Sequence, residues 1–164
     1  TDDFEVITSD ADENTDITDP ADLVCTLAKR KAEAVFACHT DATVIGADTV
    51  VFAGGRILGK PEDAKQAEEY IGILKGRTHS VFTGVCVMSG KKCDVRYAET
   101  KVTFSDMSED EIADYMSKGD YTDKAGAYAI QGEAAKYIKK TDGCFYNVVG
   151  LPVSLLYNML SEPD

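Results

Sequence analysis

The stretch "GADTVVFAGGRILGKPEDA" runs from Gly46 to Ala64. The nearly continuous apolar run from Thr43 to Phe52 predicts a strand buried on both faces. Gly54-Gly55 is a two-residue hairpin signal, and "RILG" is the returning arm. One residue breaks the pattern. Asp48 puts a carboxylate between "VIGA" and "TVVF", where burial is costly unless the charge is paired or bound to a metal. Asp48 is either a strand-end aspartate accepting backbone N–H bonds, a general base or a magnesium ligand. Lys60, in "LGKP", lies on the other arm, so the hairpin can bring it near Asp48. Pro61 biases Lys60 towards extended backbone.

Elements on either side mix helices and strands without strict alternation. "FEVI" (Phe4 to Ile7) predicts a short strand, followed by an acidic loop. Asp19 is a good N-cap with Pro20 at the first helical position, opening a helix to about Phe36. A second helix is expected from Pro61 to Leu74. "THSVFTGVCVMSG" reads as a strand broken near Thr83-Gly84, and "DVRYAETKVTFSD" as its partner. Ser108 with Glu111 forms a capping box before a helix from Glu109 to Lys118. "DKAGAYAIQG" is rich in small residues, as where backbone approaches something closely. "KYIKKTDGCFYNVVG" suggests a further hairpin, and Pro152 to Leu160 a closing helix. The expectation is a mixed α/β domain spanning 1–164. GxGxxG, Walker A and GxSxG are all absent.

The chain has 164 residues, is 44% hydrophobic and carries a net charge of −12. Residues 1–28 hold nine acids and no Lys or Arg, leaving 20 acids against 17 bases elsewhere. That balance argues against nucleic-acid binding, which needs a basic stripe. No apolar run approaches the ~20 residues of a membrane span, and no signal peptide is visible. The five cysteines contain no CxxC. Free thiols in a reducing cytoplasm are therefore expected.

Other residues also depart from their local pattern. At about 100° per residue, Lys31 falls near the middle of the apolar face set by Val24, Leu27, Ala28 and Val35, whereas Lys29 and Arg30 point away. Glu13 sits in the acidic "SDADE" loop and Glu99 in the "ETKVTF" strand. Gln131, beside Gly132, can donate and accept at once and so could read a base edge. Several carboxylates, two or three cations and a close-approach segment suit phosphate chemistry with magnesium.

At these residues the chain resembles the Maf family of nucleoside triphosphate pyrophosphatases. The resemblance rests on "SDADE", "LAKRKA", "GADTVV", "LGKPED", "GRTHSVFTGV", "ETKVTF", "DKAGAYAIQG" and "NVVGLP", in family order along the chain. "AYAIQG" with "NVVGLP" looks like the subgroup acting on dTTP and UTP. The resemblance implies an elongated, two-lobed α/β fold with a central cleft, related to inosine triphosphatases. It implies hydrolysis between the α- and β-phosphates in nucleotide-pool house-cleaning, a divalent cation (magnesium or manganese), and a homodimer. It maps the proton acceptor to Asp48, cleft-lining cations to Lys31 and Lys60, and base choice to Thr49 and Gln131. The metal is expected on Glu13, Asp48 and Glu99.

The family also opens with a strand, a Ser-x-Ser-Pro-Arg-Arg loop and a helix ahead of the segment matching Phe4–Ile7. The expectation is that these residues match the family domain without that phosphate-loop segment. Two other readings stay open: a non-catalytic interaction protein of cell division, and a pyrophosphatase for inosine or xanthosine triphosphate.

Overall fold

The computed structural model describes residues 4–162. Its centre is the hairpin of β1 (Val44–Ala53) and β2 (Arg56–Leu58). Gly54 and Gly55 both take positive φ, 59° and 75°, as a two-residue turn of this twist requires. β3 (Thr78–Ser89) lies on the other side of β1, followed by β4 (Lys92–Phe104) and β5 (Ile138–Asp142). The sheet order is β2-β1-β3-β4-β5, with every neighbouring pair antiparallel. With its helices this is the mixed α/β domain expected.

Alternation along β1 sorts its residues onto two faces. Val44 and Val50 face α1 (Pro20–Phe36), with Phe82 and Cys86 of β3. Val51 and Ala53 face the other way, into a core shared with α2 (Ala64–Leu74) and α3 (Glu109–Ser117). Farther along that face, Val85 and Val87 pack against Met159 of α5 (Val153–Ser161). The short α4 (Phe145–Val149) precedes α5.

α1 starts at Asp19, whose side chain accepts from Ala21 N and Asp22 N. It sits directly on the sheet because the facing residues are small. A Cβ built on Gly46 would lie 2.4 Å from the Ala28 carbonyl oxygen, and one on Gly84 2.2 Å from that of Val24. Gly84 therefore does not break β3. The strand runs through it, and the glycine makes room for the helix.

Three other expectations are corrected. Phe4–Ile7 forms no strand; Phe4 and Val6 are exposed, and no strand among the described residues lies beside them to supply a ladder. α2 begins at Ala64 rather than Pro61, because Asp63 caps it by accepting from Gln66 N. The segment after Tyr137 makes no hairpin of its own: β5 pairs with β4, and Phe145 onwards is helical.

Candidate active site

β2 is three residues long and pairs only with Val51–Ala53. The outer edge of β1 at Ala47–Thr49 is therefore left without a strand partner among the described residues. A cavity of ≈ 390 Å³ wraps around this edge. Lys31, Asp48, Thr49, Lys60 and Gln131 all line it. A second, more open depression is lined by Ser105, Asp110, Glu111, Asp114, Lys136 and Tyr137. There Asp114 is occupied by Lys118 and Lys136, and Glu111 by the cap of α3.

On the α1 face, two residues along from Gly46, Asp48 meets Lys31. The Lys31 ammonium donates to Asp48 Oδ1 at 2.6 Å and lies 2.8 Å from Glu13 Oε1. The acidic loop holding Glu13 is fastened by Arg30, which donates to the carbonyl oxygens of Asp12 and Asn14 at 3.0 and 2.9 Å. Arg30 does point away from the apolar face, and this is its use. Asp48 is largely buried, its side chain 11% exposed, whereas Glu13 is 60% exposed. Burial raises the Asp48 pKa; the hydrogen bond and charge of Lys31 oppose that rise, as does the charge of Lys60. For Lys31, burial works against the charge, but the bonds to Asp48 and Glu13 prevail and raise its pKa.

Glu99 is not part of this cluster. It lies on β4, two strands from the open edge, opposite Phe82, and accepts from Ser80 Oγ at 2.7 Å. Among the described residues no three His, Cys, Asp or Glu side chains come close enough to hold a metal ion. Two do converge: Glu13 and Asp48 share one ammonium, and both offer hard oxygen donors. That fits magnesium-type binding, which uses one or two carboxylates and completes the shell with water and substrate phosphates.

Thr49 points to the opposite face. Its Oγ1 lies 2.9 Å from Thr83 Oγ1 and 3.5 Å from the Gly150 carbonyl oxygen. The opposing wall is the small-residue segment, which does make a close approach. A Cβ on Gly126 would lie 2.7 Å from Val51 Cγ2, and Gly126 N donates to the Gly59 carbonyl. Asp123 and Ala127 take positive φ, 58° and 62°, a strained geometry for alanine. Tyr115 donates its hydroxyl to the Ala127 carbonyl at 2.9 Å. Next along, the Tyr128 hydroxyl lies 2.8 Å from His79 Nε2. Asp123, Lys124, Tyr128, Val148, Val149 and Gly150 also line the cavity, and no local pattern marks them in the sequence. Thr83 and Asn147, fully buried behind Thr49, were also missed. Thr83 carried a signal, a hydroxyl inside an apolar run, of the kind that exposed Asp48.

At this edge the carboxylates of Asp48 and Glu13 share the Lys31 ammonium on one face, and the hydroxyls of Thr49 and Thr83 meet on the other. The chain belongs to the Maf family: the model for "Maf-like protein" matches residues 1–163. It is 44% identical to a dTTP/UTP pyrophosphatase of Bacillus cytotoxicus, over 98% of this chain and 85% of that one. It is 49% identical to one from Pelotomaculum thermopropionicum, over 87% and 76%. It is 46% identical to one from Latilactobacillus sakei, over 98% and 89%. Among the described residues no helix is long and apolar enough to cross a membrane.

Proposed function

We propose that this chain hydrolyses nucleoside triphosphates, dTTP and UTP foremost, to the monophosphate and pyrophosphate. The observation that carries the reading is Lys31 shared between Asp48 and Glu13 at the open edge of β1. The names of the relatives supply the substrate class. Asp48 takes the proton from the attacking water. Its burial makes it a stronger base than a solvent carboxylate, closer to the operating pH. Water oxygen bonds to phosphorus as the α–β anhydride breaks, and pyrophosphate leaves. Lys31 and Lys60, which line the cavity with Lys124, neutralise phosphate charge.

Glu13 and Asp48 are the residues that would hold magnesium or manganese. When bound, such an ion neutralises phosphate charge and lowers the pKa of coordinated water. Thr49, on the other side of the strand edge, and Gln131, which lines the same cavity, contact the base or sugar. A reducing cytoplasm belongs to the same reading, supported by five free thiols. The test is product analysis after incubation with dTTP or UTP and magnesium. Thymidine or uridine monophosphate with pyrophosphate is expected. Diphosphate with inorganic phosphate, or intact triphosphate, would contradict it.

A further inference from the structure

Thr49 and Thr83 face each other in the β1–β3 register, their hydroxyl oxygens 2.9 Å apart. Thr83 Oγ1 is also 3.0 Å from the Asn147 main-chain oxygen, and a carbonyl can only accept. Among the described residues the Thr49 hydroxyl has one other hydrogen-bond partner, the Gly150 carbonyl oxygen at 3.5 Å. Two hydroxyls bring two protons to this chain of oxygens. Both short bonds form when Thr83 donates to Asn147 and Thr49 donates to Thr83. If Thr83 donated to Thr49 instead, the 3.0 Å bond to Asn147 would be lost and only the 3.5 Å contact to Gly150 could be gained. The first arrangement keeps both short bonds, and in it the Thr49 proton stays inside the protein, so Thr49 meets the cavity as an acceptor.

The far end of the chain is anchored. Asn147 is 0% exposed, and its amide nitrogen donates to the Val81 carbonyl and to Thr100 Oγ1, each at 3.0 Å. Thr100 in turn donates to the Cys144 carbonyl at 3.0 Å. The Asn147 carbonyl is therefore held where it accepts from Thr83. Gln131 can reverse its polarity by turning over its amide; Thr49, so held, cannot.

We propose that Thr83 is a specificity-determining positioning residue: by engaging the Thr49 hydroxyl it makes Thr49 an acceptor that selects substrates presenting an N–H or O–H donor there. This rests on the nucleotide-hydrolase reading of the cavity. Two groups of a thymidine nucleotide supply that chemistry, the imide N–H of the base and the 3′-hydroxyl of the sugar.

The experiment measures kcat/KM, by pyrophosphate release, for dTTP, its N3-methyl analogue and its 3′-deoxy analogue. It does so in the wild type, Thr83→Val and Thr83→Ser. Calorimetric binding of the matching monophosphates runs alongside. The wild type is expected to lose about tenfold on one analogue, the worth of one well-placed hydrogen bond, and that analogue identifies the donor. The loss shrinks below about threefold in Thr83→Val, where the Thr49 hydroxyl is free to rotate, and returns in Thr83→Ser. Wild-type protein indifferent to both analogues in binding and turnover overturns the proposal, and this arm needs no variant to fold. A Thr83→Val protein that is merely less stable, with the analogue loss unchanged, also overturns it. Donor-dependent monophosphate binding without pyrophosphate release supports the proposal and overturns the hydrolase reading alone.

Discussion

Asp48 and His79 show opposite responses to burial. Asp48 is kept in use by Lys31, 2.6 Å away, so a costly buried carboxylate becomes a paired one. His79 is 3% exposed, and its Nδ1 has no hydrogen-bond partner among the described residues. The rings of Phe104 and Tyr128 pack edge-on against it. Burial lowers its pKa to about 4, so the ring is neutral in the folded protein. The unfolded chain takes up a proton near pH 6.5 while the folded chain does so only near pH 4. Stability contributed by neutral His79 is therefore complete above pH 6.5 and lost progressively as pH falls through that window, by about 3 kcal/mol in all. The expected outcome is a larger fall in melting temperature between pH 7 and pH 4.5 for the wild type than for His79→Gln. Equal falls would show that His79 is not the buried titrating group. The sequence displayed Asp48 because a charge stood inside an apolar run. It did not display Tyr128 or the strained Ala127, whose conformation is fixed by Tyr115 from another element.

At the scale of elements, the site depends on how closely α1 lies on β1 and β3. Gly46 and Gly84 remove the Cβ atoms that would hold the helix off, and Ala28 and Ala32 do the same from the helix side. That contact sets the distance from Lys31 to Asp48, two residues beyond Gly46. Gly84→Ala would put a methyl group against the Val24 carbonyl, at 2.2 Å before relaxation. Backbone cannot yield cheaply, so the cost is expected near the upper end of overpacking, about 3 kcal/mol. For a chain of this length that lowers the melting temperature by roughly 10 °C. A change under about 2 °C would mean the helix is not seated on this glycine. The hairpin turn, the caps of α1 and α3 and the faces of α1 were legible, because each is written in neighbouring residues. In sequence Gly84 looks like a break, since a strand glycine looks the same whether it bends the chain or admits a neighbour. Phe4–Ile7 was read as a strand from its composition, although a ladder also needs a partner, which composition does not contain.

At the scale of the whole molecule, one short strand edge separates two kinds of side chain. β2 stops after three residues and leaves Ala47–Thr49 open. Alternation along β1 then sends Asp48 towards Lys31 and Glu13, and Thr49 towards Thr83 and Gly150. Adjacent residues thus present a charged group on one side and a hydroxyl on the other, with Lys60 and Gln131 also lining the cavity. Five of the seven expected site residues line this space, and Glu13 joins through Lys31. Glu99 does not: its strand matched the motif, but the sheet order places it two strands away.

The most direct measurement is pyrophosphate release from dTTP and magnesium by Asp48→Asn against the wild type, with thymidine monophosphate binding measured in both. Asparagine keeps the shape and removes the base. A loss of at least about a hundredfold in rate is expected, in line with general-base contributions, with the monophosphate still bound. A variant that folds, binds and hydrolyses within about threefold of the wild type would contradict it.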